Sequence, residues 1–110
     1  MTTPPPPPPR RLALVEVRID EDDLTQLSET RACFDRLLAL RPGRVEVDLS
    51  GCRWLDLAAL HLLRDVHRRL TGARAVLAVR AADPDVRRAL RAAGLEPSLP
   101  VPAGQEGRVG

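Results

Sequence analysis

The sequence predicts an α/β fold, a small, mostly parallel sheet with helices packed on it. Short apolar or alternating runs of strand length are interleaved with longer stretches of helical spacing. The order reads strand, helix, strand, helix, strand, helix, with turn and capping residues at the joints. Strands joined through helices pair in parallel by right-handed crossovers.

Leu12–Ile19 reads as the first strand, with Leu14 and Val15 and then alternation at Val17 and Ile19. Asp20–Asp23 reads as an acidic, solvated loop, since it lacks the glycine and distal glutamate of a calcium loop. Ser28 is placed to cap a helix running to about Leu40, with Phe34, Leu37 and Leu38 at helical spacing and Arg41-Pro42-Gly43 as its stop. Arg44–Leu49 is the next strand, with Val45, Val47 and Leu49 on one face, and Ser50–Arg53 is a loop. A second long helix starts after Asp56 and ends at Gly72, which suits a left-handed cap. Ala75–Val79 is a continuous apolar run that reads as a strand covered on both faces. Asp83-Pro84-Asp85 is a helix start, combining an N-cap, proline at the first helical position and acid at the positive end of the dipole. Val86, Ala89, Leu90 and Ala93 line one side of that helix, and Gly94 closes it. Leu99 and Val101, between prolines, allow only a short edge element.

Composition bounds the possible functions. The 110 residues suit one domain, and with 44% hydrophobic but 2% aromatic residues its core is built from Leu, Val and Ala. We divide the chain into a disordered proline-rich tail (1–11), a folded domain (12–101) and a flexible C-terminal tail (102–110). All 17 basic residues are arginine, and the net charge is only +2. With so few aromatics for stacking, the local basic faces at Arg64, Arg68, Arg69 and at Arg87, Arg88, Arg91 do not make nucleic acid the expected partner. Met1-Thr2-Thr3 followed by six prolines is not a signal peptide, and no apolar run is long enough for direct membrane insertion, so a cytoplasmic protein is expected. Cys33 and Cys52 read as reduced thiols without metal-ligand spacing.

The chemistry-bearing residues give no catalytic constellation. His61 and His67 are six positions apart and point about 120° from each other on a helix, so they make no two-histidine metal site. His61 and Asp65, one turn apart, read as a surface pair, and His67 as packed at the core edge. Phosphate-cradling glycine loops and nucleophile–base motifs are absent, so no catalytic residue, metal or cofactor is expected. On the second long helix, Ala59, Leu63, Val66 and Leu70 form the buried stripe. Leu57, His61, Arg64, Asp65 and Arg68 fall opposite. Asp56 is placed to cap the first turn. Leu57 either folds back on the loop near Trp54 or projects as an apolar contact beside Ala58.

Arg44-Val-Glu-Val-Asp-Leu-Ser-Gly-Cys-Arg-Trp-Leu-Asp56 resembles the central segment of STAS domains, the family of bacterial anti-sigma factor antagonists. So do the helix ending His67-Arg-Arg-Leu-Thr-Gly-Ala and the segment Asp83-Pro-Asp-Val through Gly94-Leu95. In that family the Asp opens an Asp-Ser-Ser-Gly motif whose serine is phosphorylated by an anti-sigma kinase, and the added charge switches binding off. This chain reads Asp56-Leu57-Ala58-Ala59, so the two hydroxyl positions are Leu57 and Ala58 and no phosphoacceptor stands there. The proline run stands where the family's first strand is expected.

The resemblance implies a non-enzymatic protein-interaction module. Its expected partner is an anti-sigma factor or serine kinase-like regulator, bound without a phosphorylatable serine, in transcription regulation. The partner-binding residues are then Asp56, Leu57, Ala58 and Leu60, with His61, Arg64 and Arg68 as a polar rim. The alternative is a STAS accessory subunit of an ABC-type lipid transport system; a small nucleotide-binding domain or enzyme ranks behind both.

Overall fold

The computed structural model describes residues 14–99. The tails assigned above to 1–11 and 102–110, with Leu12, Ala13 and Val101, lie outside the described residues.

The chain runs β1 (Val15–Arg18), α1 (Glu21–Thr25), α2 (Leu27–Ala39), β2 (Arg44–Asp48), α3 (Leu57–Gly72), β3 (Val76–Arg80), α4 (Pro84–Ala92) and β4 (Pro97–Ser98). The sheet is parallel throughout, in the order β1-β2-β3-β4. Each crossover therefore advances one strand in the same direction. Right-handed connections of that kind put every helix on one face of the sheet.

Strand register shows the two faces. Val17, Val47 and Val79 share one row, and Val15, Val45 and Leu77 the next. Val45, Val47 and Leu49 have no exposed surface, while Arg44, Glu46 and Asp48 alternate with them on the other side. Phe34 from α2, Leu63, Val66 and Leu70 from α3, and Val86 and Leu90 from α4 complete the core. The opposite face is open and charged. Glu46 takes ion pairs from Arg44 (3.1 Å) and from Arg80 on the neighbouring strand.

This topology overturns the expectation that β3 is covered on both faces. Val76 is 49% exposed, and Ala78 is only half-buried. A continuous apolar run carries no period to show a one-sided strand, and among the described residues no helix crosses to the second face.

Helix ends correct other expectations. The acidic stretch is not a loop: Asp20 accepts the Asp23 amide at 3.0 Å, and the Asp23 carboxylate accepts the Asp20 amide at 3.0 Å. That reciprocal capping box starts α1. Ser28 lies inside α2 rather than capping it. Gln26 occupies the cap position because α1 leads straight into α2, and the carbonyl of Gln26 accepts the Glu29 and Thr30 amides. The left-handed cap expected at Gly72 is displaced: Gly72 remains helical and Arg74 (φ 60°) takes that conformation after α3, while Arg41 (φ 56°) takes it after α2. Gly94 behaves as expected, at φ 83° after α4. Asp83 caps α4 by accepting the Asp85 and Val86 amides at 2.9 and 3.1 Å. The expected edge element is two residues long, and Leu99 is exposed beyond it.

Candidate functional site: the capped corner of α3

The site begins where β2 runs out. Asp48 Oδ1 accepts the Ser50 amide at 2.9 Å, and the Cys52 amide donates to the Leu49 carbonyl at 2.9 Å, which closes the Ser50-Gly51 turn. Burial works against the Asp48 charge. The Ser50 hydrogen bonds and the nearby Arg18 and Arg80 guanidinium groups more than offset it, so its carboxyl titrates below the ordinary range.

Cys52 turns inward and donates from Sγ to the Ile19 carbonyl at 3.3 Å, joining the loop to the end of β1. Desolvation, reinforced by Glu21, Asp20, Asp23 and Asp48, pushes this thiol up to about 11. It is a buried, protonated packing group, unsuited to nucleophilic work at neutral pH. The Arg53 amide donates to Glu21 Oε1 at 3.0 Å, so α1 braces the loop that leads into α3. Sequence reasoning missed that brace because it read Asp20–Asp23 as unstructured. The reciprocal Asp20–Asp23 spacing was the available signal.

Trp54 then projects outward, 41% exposed, while Leu55 packs against the core. Asp56 caps α3 in extended conformation, with Oδ1 accepting the Ala59 amide at 2.8 Å. Of the two open readings of Leu57, the structure shows projection: the side chain is 67% exposed at the first helical position. Ala58 beside it is exposed, and Ala59 is buried. Leu60 is half-buried and packs against the core, so it supports the corner from beneath. The corner thus presents Trp54, Leu57 and Ala58 as an apolar surface on a rigidly capped helix end. Trp54 is the addition that sequence reasoning had treated only as a possible cover for Leu57.

His61, Arg64 and Arg68 continue along the exposed face of α3. Asp65 does not join His61 as a surface pair. It pairs with Arg31 of α2 at 3.4 Å and reaches Arg69 at 3.9 Å, because one edge of α3 lies against α2. His67 is exposed rather than packed at the core edge; Leu62, on the other side of the stripe, is the buried residue. Among the described residues, no three His, Cys, Asp or Glu side chains are grouped to hold a metal ion. No described helix is long and apolar enough to cross a membrane.

A parallel sheet wound in one direction, with the β2–α3 loop leading into an Asp-capped helix, matches the architecture expected of STAS domains. A family model described as "Mlab, STAS domain" matches residues 14–100. The chain belongs to the STAS domain family. No match is found among curated proteins. As a STAS domain, the chain is a protein-interaction module of a generally non-enzymatic family. Asp56 caps α3, and the two residues that follow it, Leu57 and Ala58, are both exposed. Ala59, the third residue of the helix, is buried in the core.

Proposed function

We propose that this STAS domain docks a kinase-like anti-sigma regulator through the α3 corner and does so constitutively. The observation that carries the reading is Leu57, 67% exposed at the first position of a capped helix. Leaving two-thirds of a leucine side chain exposed forgoes most of its folding contribution, whereas an apolar anchor at a capped corner suits a protein contact. Phosphorylation would place about −1.5 to −2 charges at such a corner and oppose docking. With Leu57 and Ala58 at the hydroxyl positions, that off state has no acceptor here.

A second reading is favoured by the description of the matching family model. It is an accessory STAS subunit of an ABC-type lipid transport system, with an ATPase in place of the kinase-like regulator at the same corner.

One experiment separates the two. The tagged full chain is used to capture partners from native lysate, alongside Leu57→Glu, with identification by mass spectrometry. An anti-sigma kinase that is lost with Leu57→Glu supports the first reading. Phosphorylation of Ala58→Ser by that kinase in the presence of ATP would show the vacated acceptor position directly. A transport ATPase lost with Leu57→Glu supports the second. Capture indifferent to Leu57→Glu overturns the docking role of the corner.

A further inference from the structure

The exposed face of α3 continues beyond Leu57 in a regular way. Leu57, His61, Arg64, Arg68 and Thr71 follow one another at spacings of four, three, four and three residues, and all are exposed. These spacings make the row one continuous exposed face of the helix, apolar at its first position and basic further along. The row rises about 21 Å at 1.5 Å per residue.

The surface beside the row is concave. A hollow of about 460 Å³ is lined by Arg64, His67, Arg68, Thr71, Gly72 and Ala93. A second, of about 300 Å³, is lined by His61, Arg64, Asp65 and Arg68. The two share Arg64 and Arg68, so they adjoin as one shallow trough along the exposed face of α3, bordered at one end by Ala93.

The charge of the trough is one-sided. Among the described residues, the ion pairs of Arg31, Arg44, Arg69, Arg80, Arg88 and Arg91 are satisfied, and those pairs do not include Arg64 or Arg68. The single carboxylate in the lining, Asp65, has its Oδ2 engaged by Arg31 and Arg69. Beyond α3 the lining includes only Ala93, the residue after α4, which brings no counter-charge.

We infer that this trough receives an acidic amphipathic helix of the partner protein, with an apolar residue on Leu57 and carboxylates opposite Arg64 and Arg68. The inference rests on the docking reading of the α3 corner and adds the chemistry of the occupant. Apolar anchorage at one end sets position, and the two guanidinium groups select against neutral or basic helices.

The test uses the full chain and a fluorescein-labelled helical peptide, with leucine at one end and a glutamate at each following turn. A twin peptide carries glutamine at those positions. Anisotropy gives the affinity, and amide shifts of the isotope-labelled chain give the location. The glutamate peptide is expected to shift amides along Leu57–Gly72 and to bind more weakly as salt rises. Arg64→Glu with Arg68→Glu should weaken it about tenfold or more, the scale of two exposed ion pairs lost and made repulsive. Unchanged amide spectra away from α3 would show the double variant folded, and Arg64→Gln with Arg68→Gln should give an intermediate loss.

No binding of the glutamate peptide at millimolar concentration, or equal binding of the glutamine twin, overturns the inference. So does an oligothymidylate strand that binds α3 more tightly than the peptide and is lost with the same variants. If Leu57→Ser leaves peptide affinity intact while the arginine variants abolish it, the contact with Leu57 is overturned and with it the inference as stated.

Discussion

Leu57→Glu separates folding from docking, and the structure sets its expected size. Full burial of a leucine side chain is worth about 1.5–3 kcal/mol. With Leu57 67% exposed, only a third of that contribution is present, so its loss costs about 0.5–1 kcal/mol. A glutamate at the first position gains from the helix dipole, because α3 has no acidic residue in its first turn. That gain is about 0.3–1 kcal/mol. The two effects nearly cancel. At about 4–8 °C per kcal/mol for a domain of this size, Tm should stay within about 4 °C of the parent. Leu63, six residues further along α3 and 2% exposed, gives the contrast. Leu63→Ala should cost about 2–5 kcal/mol, a Tm loss of more than 10 °C. Thermal unfolding followed by circular dichroism measures all three proteins. Loss of partner capture with an unmoved Tm is the expected outcome for Leu57→Glu. A Tm loss as large as that of Leu63→Ala would refute the placement of Leu57 outside the core and the docking role built on it.

Three further outcomes follow from the same geometry. Asp83→Ala removes a carboxylate that accepts two amide hydrogen bonds, at 2.9 and 3.1 Å, and should cost about 1–2 kcal/mol in denaturant unfolding; a loss below about 0.3 kcal/mol would mean that the cap is unimportant. Cys52 loses its proton at 9.0 in the unfolded chain but at about 11 in the folded one, so its contribution is complete at neutral pH and is lost as pH rises through that interval. The chain has no tyrosine and its 17 basic residues are all arginine, so few other groups titrate there. Cys52→Ala should therefore flatten the alkaline fall in stability, and an unchanged fall would contradict the burial of the thiol. Asp48, whose folded carboxyl titrates below its unfolded value, stabilises the fold above the ordinary carboxylate range and stops doing so as pH falls through its folded value. Asp48→Asn should make the acid limb of a stability–pH curve shallower, and an identical limb would show that the Ser50 hydrogen bonds do not hold the carboxylate.

The sequence by itself determined the alternation of strands and helices, the inward face of β2, the Asp56 and Asp83 caps and the buried stripe of α3. Each of these is written in neighbours within one or two turns of chain: a period of two at Val45, Val47 and Leu49, a helical period at Ala59, Leu63, Val66 and Leu70, and an aspartate before an apolar or proline position. That Leu57 and Ala58 carry no hydroxyl was equally legible, since it is a matter of residue identity. Only the tertiary structure decided that β3 has an open face, that Asp65 turns to Arg31 instead of His61, that Glu21 braces the loop before α3, and that Leu57 stands clear of Trp54's loop. Those outcomes depend on which element lies beside which. Local periodicity reports which way a side chain leaves its own backbone; what waits for it there is set by the direction in which successive crossovers wind the sheet, and residues 30 or more positions apart meet only after that winding is complete.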